Sequence, residues 1–141
     1  MTSKEGDEMS ETGSDKIDGK VYYLTGVSSA WNVEDTSDEE PPAEDNGSWT
    51  AYWKRKTGLA RPVICPACGA ALDDENESGA HIRLANEEED EWAWITVLCD
   101  GCNNWQNKNE MTIDAGTRIV RVKMSKKRKT AKMRLEDFLK I

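Results

Sequence analysis

Apolar, β-branched and aromatic residues concentrate in two neighbouring stretches of the chain. "AHIRLA", residues 80–85, and "EWAWITVLC", residues 91–99, each have the length and composition of a strand. The acidic loop "NEEEDE" joins them, so the pattern predicts an antiparallel hairpin. Further along, "TRIVRVKM", residues 117–124, alternates polar with apolar residues and predicts another strand.

The segment "SWTAYWKRKTG" predicts a helix. Ser48 is a good N-cap, and Gly58 suits the position just after the last turn. Three aromatic residues fall at helical spacing between them: Trp49, Tyr52 and Trp53. We expect these rings to pack in the core, with stacking on a ligand or a base as the alternative.

Three shorter patterns complete the expected elements. "KVYYLTGVSSAW", residues 20–31, is β-prone, with Val21, Tyr23 and Thr25 lining one face. "CNNWQNK", which follows the hairpin, suits the start of a short helix. The terminal "MRLEDFLKI" predicts a helix whose apolar face is formed by Leu135, Phe138 and Leu139.

These patterns divide the chain into five parts. Residues 1–19 are expected to be a disordered acidic tail, 20–31 a β-prone segment and 32–47 an acidic linker. Residues 48–124 form the predicted α+β domain. Residues 125–141 form a basic segment that ends in the short C-terminal helix.

Charge is distributed unevenly along the 141 residues, of which 33% are charged. Residues 1–47 hold three Lys and thirteen Asp or Glu, a net charge of −10, whereas residues 48–141 carry +2. Residues 118–134 contain nine basic residues and no acidic one. Such asymmetry is typical of nucleic-acid or interaction tails, although two solvated segments would give the same pattern.

Membrane and export signals are not expected. The chain has no apolar run of about 18 residues, and its first residues contain no apolar stretch. We therefore expect no membrane partner and an intracellular, reducing compartment. That compartment would be the cytoplasm of a bacterium or a phage-infected cell, or the nucleus of a eukaryote.

The four cysteines form two C-x-x-C pairs, Cys65 with Cys68 and Cys99 with Cys102. In a reducing compartment such pairs favour metal binding over disulfides. Four thiolates around one Zn²⁺ give a closed tetrahedral structural site, which would help to stabilise a domain of low apolar content. The alternative interpretation of the cysteines is a disulfide or a redox-active pair.

The order of motifs over residues 63–108 resembles the His-Me finger (HNH-type) nucleases. The matching features are the first C-x-x-C pair, "GAHI", the apolar strand and "LCDGCN". The resemblance is to the recombination endonuclease VII type, whose four cysteines bind a structural zinc. It implies a zinc-stabilised ββα (HNH-like) core with two zinc knuckles, flanked by the acidic arm and the basic segment.

The same resemblance implies roles for two polar residues. His81 would be the general base, and Asn103 would be a ligand of a catalytic Mg²⁺. The family carries Asp directly before this His, whereas this chain has Ala80, which cannot bind a cation. The resemblance therefore implies an endonuclease-like fold with impaired catalysis, in which Mg²⁺ binds only if the site is catalytic.

Other roles for these residues stay open. His81, the only histidine, could be a structural residue at a strand end, a partner of a zinc-bound thiolate or a zinc ligand. Asn103 and Asn104 could cap the following helix. The nearby carboxylates that could replace the missing one are Asp73, Asp74 and Glu77.

Nucleic-acid association is expected to involve the basic segment, where cations can neutralise phosphates. The candidate residues are Lys126, Lys127, Arg128, Lys129 and Lys132. "KKRK" within it also resembles a nuclear localisation signal. The acidic arm could screen this segment in cis or bind a basic protein partner.

Three functions follow from these readings. The leading one is a zinc-binding HNH-like module associated with nucleic acid and catalytically impaired. The second is an active Mg²⁺-dependent endonuclease that uses His81. The third is a protein-interaction adaptor without nucleic-acid activity.

Overall fold

Residues 16–134, the part of the chain described by the computed structural model, form a six-stranded antiparallel sheet and one α-helix. The elements are β1 (Val21–Tyr23), β2 (Ser28–Asn32), α1 (Trp49–Thr57), β3 (Glu77–Leu84), β4 (Trp92–Cys99), β5 (Met111–Ile113) and β6 (Arg118–Lys123). A short 3-10 turn, Ala43–Asp45, precedes α1. The strand order is β1-β6-β4-β3-β2-β5. Within this part of the chain no helix is long and apolar enough to cross a membrane.

The predicted hairpin is the centre of this sheet. β3 pairs with β4 from Glu77 opposite Cys99 to Ile82 opposite Trp94. Neighbouring side chains alternate between the two faces, as they must in a strand. Both faces are buried, because Ile82 is fully buried on one and His81 is 5% exposed on the other.

The helix prediction is confirmed. The Ser48 hydroxyl accepts a hydrogen bond from the Ala51 amide at 3.0 Å, and Gly58 ends the helix in the left-handed conformation. α1 packs across β3, β4 and β6. Its buried face is aromatic, because Tyr52 and Trp53 are almost fully buried and the Trp53 indole donates to a β6 carbonyl.

The sheet extends beyond the predicted domain of residues 48–124. β1 and β2 come from the β-prone segment 20–31 and supply one edge strand and one inner strand. Residues 32–47, predicted as an acidic linker, also pack against the domain, where Val33 and Asp45 are buried. The predicted C-terminal helix and residues 1–15 of the predicted tail lie outside the described residues.

The short helix predicted for "CNNWQNK" is wrong, because this segment forms consecutive turns. Asparagine side chains explain the difference. The Asn104 side-chain oxygen accepts from the Gln106 amide at 2.8 Å, and the Asn107 oxygen accepts from the Asn109 amide at 3.0 Å. These local bonds give the backbone an alternative to helical hydrogen bonding. The helix that follows the hairpin in a ββα core is therefore not found in the described residues, whose α-helix precedes the hairpin.

We expect Gly79→Ala to destabilise the fold. A Cβ at Gly79 would lie 2.6 Å from the backbone of Trp49 and Thr50, so α1 would have to move off β3. Overpacking of this kind costs roughly 1–3 kcal/mol. Urea unfolding followed by tryptophan fluorescence measures the loss. The matched control is Gly26→Ala, where no atom lies within 4 Å. Equal unfolding free energies for the two variants would contradict the close packing.

Candidate metal centre and the adjoining cavity

The four cysteine thiols meet at one end of the β3–β4 hairpin. The Sγ atoms of Cys65, Cys68, Cys99 and Cys102 all lie within 4.8 Å of one another. The Cys68 and Cys99 sulfurs are 3.6 Å apart. Tetrahedral coordination with Zn–S bonds of about 2.3 Å places sulfurs roughly 3.8 Å apart. The four sulfurs could therefore hold a metal ion with little rearrangement.

The first C-x-x-C pair lies in a tight turn before β3. The Cys65 carbonyl accepts from the Gly69 amide at 2.9 Å, and the Cys65 amide donates to the Ala70 carbonyl at 2.7 Å. Gly69 has a φ of +82°, a conformation that glycine adopts without strain. The turn bends the backbone around two sulfurs, with Cys65 fully buried and Cys68 exposed.

The second pair continues directly from β4. The Cys99 carbonyl accepts hydrogen bonds from the amides of Cys102 and Asn103, at 3.1 and 3.0 Å. The Cys99 amide donates to the Cys65 sulfur at 3.4 Å, and this bond joins the two pairs. Amide donors around sulfur favour the thiolate that a metal requires.

The thiols of this second pair differ in acidity. Burial raises the pKa of the Cys102 thiol above its ordinary value. Burial also acts on Cys99, but hydrogen bonds from the Cys102 amide and from Cys68 outweigh it and lower the pKa. All four thiols are free, and the 3.6 Å sulfur separation is well beyond a disulfide bond of about 2.05 Å. The four sulfurs could hold a metal ion.

His81 lies away from the thiols, on the face of β3 that α1 covers. The cluster that could hold a metal contains the four cysteines and not His81. The His81 ring makes an edge contact with the Trp49 ring, with centroids 4.8 Å apart. Burial lowers the pKa of His81 to about 4, so the imidazole is neutral at pH 7.

Asn103 and His81 line the same cavity, which has a volume of about 790 Å³. They do not form a metal site together with position 80, where this chain has alanine and the nuclease family has a carboxylate. The Asn103 side-chain amide donates to the Ser78 hydroxyl at 2.6 Å. Ala80 is fully buried, and strand alternation turns it toward the opposite face from His81. A carboxylate at position 80 would therefore enter the core instead of the cavity.

The candidate replacement carboxylates are engaged elsewhere. Asp73 accepts from the backbone amides of Glu75 and Asn76 within its own turn. Asp74 pairs with Arg61, and Glu77 pairs with Lys54 at 3.2 Å. None of the three carboxylates lines the cavity. They do not compensate for Ala80.

The basic segment is fixed through Arg128, which the sequence suggested as a nucleic-acid contact. Arg128 is 5% exposed, and its guanidinium donates to the carboxylates of Asp38 and Glu39. In this conformation the Arg128 guanidinium is therefore paired with the acidic segment, and its role as a phosphate-binding residue stays a prediction. Lys126, Lys127 and Lys129 remain exposed. The Lys132 ammonium lies 4.9 Å from the Trp31 ring centre.

Sequence reasoning missed Asn32, a buried residue where β2 ends. Its side-chain amide donates to the Cys102 carbonyl at 2.8 Å and so links β2 to the thiol loop. Asn32 also lines the cavity shared by His81 and Asn103. A lone Asn at the start of an acidic stretch carries no spacing signal that could have identified it.

We expect the imidazole of His81 to titrate with a pKa of about 4, below its ordinary value of 6.5, because burial disfavours the charged ring. The folded protein favours the neutral ring, so its contribution to the free energy of unfolding is fully present above pH 6.5. That contribution is lost as the pH falls toward 4. The loss would be on the order of 3 kcal/mol. NMR titration is direct because the chain has one histidine. A measured pKa near 6.5 would contradict the buried position.

The comparisons with known proteins identify no relative of this chain. No family model matches it, and no curated protein or solved structure matches it either.

Proposed function

We propose that this chain is a non-catalytic, zinc-dependent binding module. The observation that carries the proposal is the gathering of four cysteine sulfurs within 4.8 Å at the end of the central hairpin. Two loops, residues 63–72 and 99–110, meet the sheet there and contain little regular structure. A metal bound to all four sulfurs would hold both loops in place.

The chemistry of the donors favours Zn²⁺. Thiolates are soft ligands, which Mg²⁺ and Ca²⁺ do not prefer, and a four-sulfur set suits tetrahedral zinc. With all four positions taken by protein, the ion would have no open position for water or substrate. Its role would be structural.

The proposal includes the absence of nuclease catalysis at His81. The resemblance to HNH-type nucleases is limited to the cysteine spacing and to one histidine on a strand. Ala80 supplies no ligand, and Asn103 offers a single neutral amide oxygen, because its amide nitrogen donates to Ser78. A hard cation such as Mg²⁺ needs several oxygen ligands, which these residues do not provide. His81, buried beneath α1, serves packing.

We expect one equivalent of zinc in protein purified without chelator. Cys99→Ser should abolish stoichiometric zinc binding and cooperative unfolding, since structural zinc contributes on the order of 10 kcal/mol in small domains. Metal analysis and thermal unfolding measure the two effects. His81→Gln is the control and should keep the zinc. Less than half an equivalent in the unmodified protein would count against the proposal, as would zinc loss in His81→Gln.

Nucleic-acid association is a second candidate, favoured by the anchoring of the basic segment. Arg128 is held by Asp38 and Glu39, and Val33 and Thr130 pair as an isolated β-bridge. The exposed Lys126, Lys127 and Lys129 therefore project from a backbone fixed on the domain. Three cations so placed could contact phosphates without reading sequence.

Replacing Lys126, Lys127 and Lys129 together by Ala should weaken binding to a fluorescein-labelled 20-base-pair duplex. If each lysine neutralises one phosphate, the slope of log affinity against log salt should fall by about 3. Fluorescence anisotropy over a salt series measures the slope. The matched control is Lys108→Ala, an exposed lysine on a different loop. An unchanged slope in the triple variant would exclude this surface.

Duplex incubated with Mg²⁺ should stay intact in the same samples. Cleavage that disappears in His81→Ala would support the endonuclease alternative. Absence of both binding and cleavage would leave the adaptor function.

A further inference from the structure

The cavity beside β3 is a feature of the described residues that the zinc centre and the basic segment do not explain. It has a volume of about 790 Å³ and opens where β2 ends. Of its lining residues, Trp49 and Gly79 are half-buried, whereas Asn104 and Trp105 are exposed. The Trp105 side chain is 84% exposed, which is unusual for so large an apolar group.

Two buried polar atoms of residues that line the cavity have no hydrogen-bond partner among residues 16–134. They are the side-chain oxygen of Asn32 and Nε2 of His81. Both residues are 5% exposed. The Asn32 oxygen can only accept, because the amide nitrogen of the same side chain donates to Cys102. Buried polar groups are nearly always paired, so the unpaired Asn32 oxygen beside a cavity points to a ligand with a hydrogen-bond donor, whereas Nε2 of the neutral imidazole can donate or accept.

The backbone of β3 also faces the cavity. β2 pairs with β3 only from Leu84 to Ile82, and the Val33 amide then donates to the His81 carbonyl at 3.0 Å. Backbone groups two residues apart point to the same side of a strand. The amide and carbonyl of Gly79 therefore point to the side of β3 where β2 has ended. An extended chain could continue the ladder at this position.

The charge of the lining favours a cationic partner. Glu34 and Asp35 border the cavity, and their side chains take part in none of the ion pairs described for residues 16–134. Glu39 also borders it but is neutralised by Arg128. Lys108 is the one lysine or arginine of the lining, and His81, which also lines it, is neutral at pH 7. A phosphate would be repelled here, whereas an ammonium or guanidinium group would be attracted.

We propose that this cavity binds an extended peptide that adds to the edge of β3 at Gly79 and places a lysine or arginine side chain among Glu34, Asp35 and the Asn32 oxygen. The proposal rests on the proposed function, because it assigns a ligand to the zinc-dependent binding module. The aromatic rings of Trp49 and Trp105 would cover the aliphatic part of the basic side chain. The loop of residues 99–110, fixed by zinc, would form the outer wall of the site through Cys102 and Asn103.

The probes are two blocked pentapeptides of alternating sequence, Thr-Lys-Thr-Lys-Thr and Thr-Glu-Thr-Glu-Thr. Each is titrated into ¹⁵N-labelled, zinc-loaded full-length chain, and zinc content is measured on the same sample. The lysine peptide should shift the Gly79 and His81 amides and the Trp105 indole, with an affinity at least about tenfold above that of the glutamate peptide. The double variant E34Q/D35N should weaken lysine-peptide binding by about tenfold. The matched control, E88Q, changes an exposed carboxylate outside the cavity and should stay within about twofold.

Several outcomes would overturn the proposal. Zinc-loaded protein that shows no Gly79 shift with millimolar lysine peptide would refute it while leaving the zinc proposal intact. Equal binding of the two peptides would do the same. Pentathymidylate is the third probe, and its binding in the cavity, strengthened by E34Q/D35N, would assign the site to a nucleic acid instead.

Discussion

Cys99 is both the last residue of the central strand β4 and one of the four thiols that lie within 4.8 Å of one another. The position of that thiol is set by the most extensive strand pairing in the sheet, β3 with β4. A metal bound there would fix the turn before β3 through Cys65 and Cys68, and the loop after β4 through Cys102. A chain with 37% apolar residues and long loops would gain stability from such a closure, because it restricts segments that have little core of their own.

The thiol centre also shapes the neighbouring cavity. The Cys102 carbonyl accepts from Asn32 at 2.8 Å, and the Asn103 amide donates to Ser78 at 2.6 Å. The loop after β4 therefore reaches across the unpaired part of β3 and forms one wall of the cavity. α1 forms another wall, because Gly79 lets the backbone at Trp49 approach β3 closely. In the proposed function, metal binding and ligand binding are coupled through this one loop.

Local signals in the sequence were sufficient for the helix, the hairpin and the cysteine pairs. Ser48 and Gly58 act within one turn of α1, and the spacing of Cys65 with Cys68 is itself the geometry of a tight turn. The placement of residues 32–47 depends on Arg128, more than 80 residues away along the chain, and no local pattern reports it. The charges along the sequence indicate an acidic and a basic segment, but they do not indicate which basic side chain becomes buried.

The candidate site also combines features that local sequence indicates with features that depend on long-range contacts. Strand alternation already implies that Ala80 and His81 face opposite sides, but the sequence does not say which side holds the cavity. The asparagine-rich stretch after Cys102 has the composition of a helix start, but its side chains bond to nearby backbone amides and the segment forms turns. No pattern in the sequence indicates a role for Asn32, because its contact with the Cys102 carbonyl and its place beside the cavity exist only in the folded chain.

X-ray absorption spectroscopy at the zinc edge tests the four-thiolate centre most directly, because it counts and identifies the atoms bound to the metal. The account predicts four sulfur scatterers at about 2.3 Å and no nitrogen or oxygen in the coordination shell. A spectrum that requires a histidine nitrogen, or fewer than four sulfurs, would contradict it. In that case the cysteines would not form the closed structural centre on which the loops and the cavity are proposed to depend.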